Sequence, residues 1–306
     1  MNNFEYINKA IGNTPIVELS TDEFNINLYA KCEFVNPTGS HKDRMYKFGI
    51  NKYEKEGIIK KGMTLVDFSS GNAGASLSML SSLYGYKSII VRPSGLSIGK
   101  KQQIINYGGE IIEIPKELGI GEARRKAIEL TNELGESAFM MHQTDRPFNV
   151  DAFTEMGEEI VRYFKSIRKR IDVFVCPVGT GGTITAVGRV LKKHFVDIKI
   201  VGVDIEESPL LYNRFYSKNK RVKSHNIEGM SVGEVFLNTD LSIIDEVLTI
   251  SANDSWLYAK EIGRKYQLWV GPSSGSGFCA SLKYAKKVNK ECNMLTVFWD
   301  HGWKYI

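Results

Sequence analysis

At 306 residues the chain can bury one large core or two medium ones, and its 42% hydrophobic and 25% charged residues exclude a disordered or fibrous protein. The net charge of +5, from 40 basic against 35 acidic residues, does not point to nucleic acid, and the basic clusters at 165–170 and 218–223 lack interleaved aromatics. No apolar run reaches the length of a membrane span and Met1-Asn2-Asn3-Phe4-Glu5 lacks the regions of a signal peptide, so the expected location is cytoplasmic, with no membrane partner.

In chain order, a short helix is expected over 4–10, a turn at Gly12-Asn13-Thr14-Pro15, and strands over 16–19 and 27–33. The stretch Asn36-Pro37-Thr38-Gly39-Ser40-His41-Lys42-Asp43-Arg44 then hands a lysine to the first turn of a helix that runs to about residue 56. Ser40 as N-cap, with Asp43 three positions on, reads as a Ser-x-x-Asp variant of the capping box. Lys42 thereby sits at the positive pole of the helix, which lowers the cost of an uncharged amine. A neutral amine is a nucleophile that forms Schiff bases with carbonyl substrates or with the aldehyde of pyridoxal phosphate. Taken alone, a single lysine is more often a solvated charge.

From there strands over 64–68, 87–92, 110–114 and 138–142 alternate with helices from Ala73, over 97–107 and over 121–134. This is the pattern of an α/β fold with a largely parallel sheet, whose ligands bind beyond the carboxyl ends of the strands. One such end carries Ser69-Ser70-Gly71-Asn72-Ala73-Gly74. Small residues ahead of a helix make an anion site suited to a substrate carboxylate, and Asn72 offers its amide to a cofactor oxygen; a purely steric turn explains the loop as well.

A strand over 172–177 leads into Gly179-Thr180-Gly181-Gly182-Thr183 and a helix to about residue 193. Three glycines and two hydroxyls at a helix start form a phosphate cradle. A strand over 198–203 ending in Asp204 invites a rival reading as an NAD-binding Rossmann dehydrogenase, with Asp204 on the ribose. The third glycine of that fingerprint falls on Ile184, and no P-loop lysine follows Thr183. A loop-rich span over 206–234, holding Ile227-Glu228-Gly229-Met230, reads as a segment over the site. A strand over 247–250, a helix over 251–266 and a second glycine-rich turn with Ser273 follow, and a last strand over 295–299 runs into Asp300-His301-Gly302.

Four of these pieces, in this order, resemble the fold-type-II pyridoxal-phosphate enzymes of the cysteine synthase and cystathionine β-synthase group, with threonine synthase and serine/threonine dehydratase as relatives. The likeness runs from Ile11-Gly12-Asn13-Thr14-Pro15 to Asp300-His301-Gly302-Trp303-Lys304-Tyr305. It implies a two-domain α/β fold like that of the tryptophan synthase β subunit, with mostly parallel sheets and helices on both faces. Residues 1–147 would carry the lysine and the substrate loop, about the first 35 packing on the other domain, and 148–306 the phosphate loop.

By resemblance, Lys42 is the Schiff-base lysine, Asn72 bonds the cofactor's phenolic oxygen, and Gly179, Thr180, Gly181, Gly182 and Thr183 hold its phosphate. Ser273 matches the residue facing the pyridine nitrogen, while Ser69, Ser70, Gly71 and Gln143 match those that hold the substrate carboxylate. A neutral hydroxyl at Ser273 does not keep that nitrogen protonated, which suits β-elimination and replacement rather than transamination. The implied activity is β-replacement on O-acetylserine, phosphoserine, serine or cysteine through an aminoacrylate, as in cysteine biosynthesis, with a nucleophile as co-substrate and a homodimer as the assembly. Threonine synthase or dehydratase chemistry is the runner-up.

The chain departs from the group in three places: Ala73 stands where cysteine synthases carry threonine, His41 where many relatives have an aliphatic or aromatic residue, and Arg92-Pro93-Ser94-Gly95-Leu96-Ser97 differs from the usual Met-Pro form. His41 reads as a packing or capping residue ahead of a second acid/base. The other histidines show no metal-ligand spacing, so no metal is expected. Cys32, Cys176, Cys279 and Cys292 are expected as buried reduced thiols. With no sequence before Met1 or after Ile306, regulation by an appended domain is not expected.

Overall fold

The computed structural model describes residues 1–21, 26–231 and 233–306; Val232, within the loop-rich span read from the sequence, lies outside the described residues. The strands are β1 (Ile16–Leu19), β2 (Ile26–Cys32), β3 (Thr64–Phe68), β4 (Lys87–Pro93), β5 (Glu110–Ile114), β6 (Ala138–Met140), β7 (Val173–Pro177), β8 (Lys199–Ile205), β9 (Glu246–Ile250) and β10 (Cys292–Phe298). The helices before the 179–183 glycine loop are α1 (Asn3–Ala10), α2 (Lys42–Lys55), α3 (Asn72–Tyr84), α4 (Ile98–Asn106), α5 (Gly119–Leu134), α6 (Phe148–Asp151) and α7 (Thr154–Ser166). After it come α8 (Gly182–His194), α9 (Leu210–Tyr216), α10 (Ala252–Tyr266) and α11 (Pro272–Val288).

Two sheets result, a four-stranded one in the order β5-β4-β3-β6 and a six-stranded one in the order β1-β2-β10-β7-β8-β9. All the pairings are parallel except β1 with β2, an antiparallel edge. Parallel strands need both faces covered, and the nearly continuous burial of β3 and β7 suits that position. One core cluster fills the space between the sheets, joining Leu65 and Ile90 of the smaller to Tyr29, Phe174 and Leu295 of the larger. The outer faces are closed separately, by Ala123 and Ala127 of α5 over the smaller sheet and by Phe278 and Tyr284 of α11 over the larger. All four cysteines are buried and free, as expected.

The capping box at Ser40 is not formed. The α2 N-cap is His41, in helical backbone geometry and without a side-chain cap bond, and the Ser40 hydroxyl has no hydrogen-bond partner among the described residues. Asp43 instead accepts from the Thr38 amide at 2.8 Å, the Thr38 hydroxyl at 2.5 Å and the Ser76 hydroxyl at 2.5 Å. Ser40 bridges Asp300, and the His41 amide donates to the Trp299 carbonyl at 3.2 Å, so the loop is pinned to the end of β10 before the helix begins. Three helices, α6, α7 and α9, lie where the sequence reading placed none. The strand expected to reach residue 142 ends at Met140, because His142 turns into a left-handed conformation (φ 59°).

Candidate active site

The carboxyl ends of β3, β6, β7 and β10 open onto one cleft. Its walls include Lys42, Ser69, Ser70, Asn72, Gln143, Gly179, Thr180, Gly181, Thr183 and Ser273, so residues expected on separate grounds from distant stretches converge. Gly182 lies just behind, packed on Asn149, and Gly71 packs on the stem of Lys100.

Burial lowers the Lys42 amine to about 8, against a smaller opposing pull from Asp67. Loss of solvent, rather than the helix pole alone, therefore makes this nitrogen available as a neutral nucleophile. Asp67, at the end of β3, is fully buried and pushed up to about 7 by that burial, although Tyr46 Oη donates to it at 2.8 Å and the Phe68 amide at 2.8 Å. The His41 ring packs 4.8 Å from Trp299 and 5.5 Å from Phe153, and burial drives its pKa well below the ordinary value. It remains a neutral packing residue whose Nδ1 has no partner among the described residues.

At the start of α8, no described side chain caps the first turn, and Gly181 holds a left-handed φ of +83°. A Cβ there would strike Thr239, so the loop packs this closely only with glycine; an uncapped helix start that lines the cleft fits a phosphate. Thr180 is steadied by Asn149, whose Nδ2 donates to Thr180 Oγ1 at 2.9 Å.

In the other loop, Ser69 Oγ accepts from the amides of Gly71 at 2.9 Å and Gly74 at 3.0 Å, which shapes the turn ahead of α3. Gln143 gives its Nε2 to the Phe68 carbonyl at 2.9 Å, and its buried Oε1 has no partner among the described residues. Ser273 lines the cleft as the second residue of α11.

Sequence reasoning missed Lys100, Asp300 and Lys304 as members, while Glu228 belongs to the segment expected over the site. Lys100 and Glu228 line the cleft and pair at 2.8 Å, with the Lys100 Nζ 3.9 Å from the Tyr305 ring centroid. Asp300 and Lys304, from the turn after β10, both bond Asn72. The Asp300-His301-Gly302 run marked a turn in the sequence, but nothing in it showed which side chains face Asn72. Asp204 offers nothing to a ribose: it is 1% exposed, accepts from the Ile205 and Tyr212 amides at 3.0 Å each, and takes a short bond from the Ser231 hydroxyl. The Rossmann alternative fails on that carboxylate.

The family described as "Pyridoxal-phosphate dependent enzyme" matches residues 7–300. The chain belongs to this family. A cysteine synthase of Staphylococcus aureus is 32% identical over 303 residues, spanning 98% of this chain and 94% of that one. Among solved structures, a hydrogen sulfide-producing enzyme of Fusobacterium nucleatum superposes with a TM-score of 0.91 at 32% identity, covering 98% of this chain and 99% of the other. An O-acetylserine dependent cystathionine β-synthase of Helicobacter pylori gives 0.90 at 30% identity, covering 98% and 96%. The chain is thus a fold-type-II pyridoxal-phosphate enzyme of the cysteine synthase group, and its cofactor is pyridoxal phosphate. Among the described residues no helix is long and apolar enough to cross a membrane.

Proposed function

We propose that the enzyme exchanges the β-substituent of a serine-derived amino acid, such as O-acetylserine, for a nucleophile such as sulfide or a thiol. The observation that carries this reading is the convergence of Lys42, the α8 cradle and Ser273 on one cleft. The cysteine synthase, the hydrogen sulfide-producing enzyme and the O-acetylserine dependent cystathionine β-synthase it resembles support the same reaction class.

Bound pyridoxal phosphate supplies an electron sink that acidifies the α-hydrogen of an amino acid joined to it. Lys42 anchors the cofactor through its aldehyde carbon. Its Nζ would also be the group that takes the α-proton and returns it, and burial keeps that nitrogen a usable base near neutral pH. Gly179, Thr180, Gly181, Gly182 and Thr183 hold the phosphate, and Asn72 donates to the phenolic oxygen. The Ser273 hydroxyl meets the ring nitrogen without a charge to keep it protonated. Ser70, Gly71 and Gln143 bind the substrate carboxylate, with Ser69 shaping their loop.

In this reading residues 1–147, less the two N-terminal strands, and 148–306 form two lobes around the cleft, and the protein works as a cytoplasmic homodimer. Sedimentation of the holoenzyme reads the assembly. The function is tested by adding O-acetylserine, phosphoserine, serine, cysteine and phosphohomoserine separately to the reconstituted enzyme, with and without sulfide, while following the visible spectrum and product. A spectral change with a serine derivative, and a new β-substituted product, is expected. A response to phosphohomoserine alone would overturn the proposal.

A further inference from the structure

Asn72 is held at both ends of its amide. Its Oδ1 accepts from Lys304 Nζ at 3.0 Å, and its Nδ2 donates to Asp300 Oδ2 at 2.6 Å. An ammonium has only hydrogens to offer and a carboxylate only lone pairs, so reversing the amide would set N–H against a cation and C=O against an anion. Charge therefore dictates the orientation. With one Nδ2 hydrogen given to Asp300, the other is left over, and Asn72 lines the cleft.

Both partners are themselves fixed. Lys304 is fully buried and makes its other hydrogen bond to Gln103 Oε1 at 3.0 Å. Asp300 is 1% exposed, and its Oδ2 also accepts from the Tyr305 hydroxyl at 2.7 Å. A buried lysine with two neutral acceptors is costly to keep, and no step of the proposed reaction uses it. Its effect on chemistry has to pass through Asn72.

We infer that Lys304 and Asp300 are positioning residues that hold the Asn72 amide with its spare N–H, not its carbonyl, presented to the phenolic oxygen of the cofactor. The inference rests on reading Asn72 as the partner of that oxygen. Losing the cation frees the amide to turn, after which a carbonyl faces an oxygen that needs a donor.

The test compares wild-type holoenzyme with Lys304→Met, Asn72→Ala and the double variant. The readouts are the visible absorption band of the bound cofactor and its retention on dilution, alongside the melting temperature. Lys304→Met is expected to shift the band and weaken retention about ten-fold, the size of one hydrogen bond to a charged group. Asn72→Ala does the same, and the double variant loses no more than Asn72→Ala alone. A Lys304→Met loss repeated in full on the Asn72→Ala background, or a wild-type band in Lys304→Met, would overturn the inference and leave Lys304 a purely structural residue. An unchanged band and retention in Asn72→Ala would instead defeat the reading of Asn72 itself, and the inference with it. Should Lys304→Met not fold, Asp300→Asn applies the same comparison from the other end of the amide.

Discussion

Arg44 and Glu159 meet fork to fork, Nη1 to Oε1 and Nη2 to Oε2, each at 2.7 Å and both nearly excluded from water. Arg44 stands two residues beyond Lys42 on α2, and Glu159 lies on α7, so this pair ties the helix that carries the amine to the second half of the chain. Lys31 Nζ adds a bond to Glu159 at 2.6 Å, and Glu33 takes the rest of the guanidinium at 2.7 and 2.8 Å. Two cations and two carboxylates close the network.

Removing one carboxylate leaves the cations in a dry site with too little opposing charge. Glu159→Ala is expected to cost about 3–5 kcal/mol in denaturant unfolding. Glu155→Ala, at an exposed pair with Arg162, scarcely moves the curve. Burial alone would raise Glu159, yet Arg44 and Lys31 pull its carboxyl down to about 2 from an ordinary 4.5. Its stabilisation is therefore complete above about pH 4.5 and is lost as pH falls toward 2. Acid unfolding of the wild type shows that loss, and Glu159→Gln removes its dependence on this carboxyl.

Lys42 and Asp67 give a second prediction, on pH and cofactor capture. A protonated amine cannot attack an aldehyde, so the apoprotein captures pyridoxal phosphate faster as pH rises, with a midpoint near 8 rather than the ordinary 10.5. Asp67 is the charge that raises Lys42, and Asp67→Asn should therefore move the midpoint below 8. Borohydride trapping at a series of pH values, with peptide mapping to Lys42, measures both. A midpoint that ignores Asp67→Asn would remove this coupling.

The role proposed for Ser273, opposite the ring nitrogen, separates two chemistries. Ser273→Ala removes one neutral hydrogen bond and should lower β-replacement by no more than about ten-fold. Ser273→Asp places a carboxylate where it can keep the ring nitrogen protonated, and is expected to lower the same reaction by roughly ten-fold or more. It should also add slow transamination, read as bleaching of the visible band with an amino-acid substrate. Equal turnover in the two variants would count against the role given to this hydroxyl.

The sequence made the strand, glycine-loop, helix units legible because each is local: β3 and β5 fall where the alternation and the turn residues place them, and α8 starts at its glycine loop. Lys42 and the α8 glycine loop stood out in the same local way, whereas the place of Ser273 came from the family resemblance; all three line one cleft. Asp300 and Lys304 were not, since they reach Asn72 only through folding, across 228 and 232 residues of chain. Asp43 misled because a capping pattern says nothing about competing donors; Thr38 and Ser76 claim its carboxylate. In α7 the buried Met156, Ile160, Val161 and Phe164 carry a helical spacing that identifies the element.

Gly181 and Gly85 share a φ of +83°, which makes them a matched pair for the phosphate cradle. Gly85 ends α3 with open space where a Cβ would stand, whereas at Gly181 that atom would run into Thr239. Gly85→Ala should therefore cost only the backbone strain, about 1–2 kcal/mol, and leave cofactor binding alone. Gly181→Ala adds a clash at the helix start proposed to hold the phosphate, so it should lose more stability and also lose the rise in melting temperature that saturating pyridoxal phosphate gives the wild type. Thermal melts with and without cofactor separate the two effects. If Gly181→Ala kept the full cofactor-induced rise, the phosphate would have to sit elsewhere than on the α8 N-terminus.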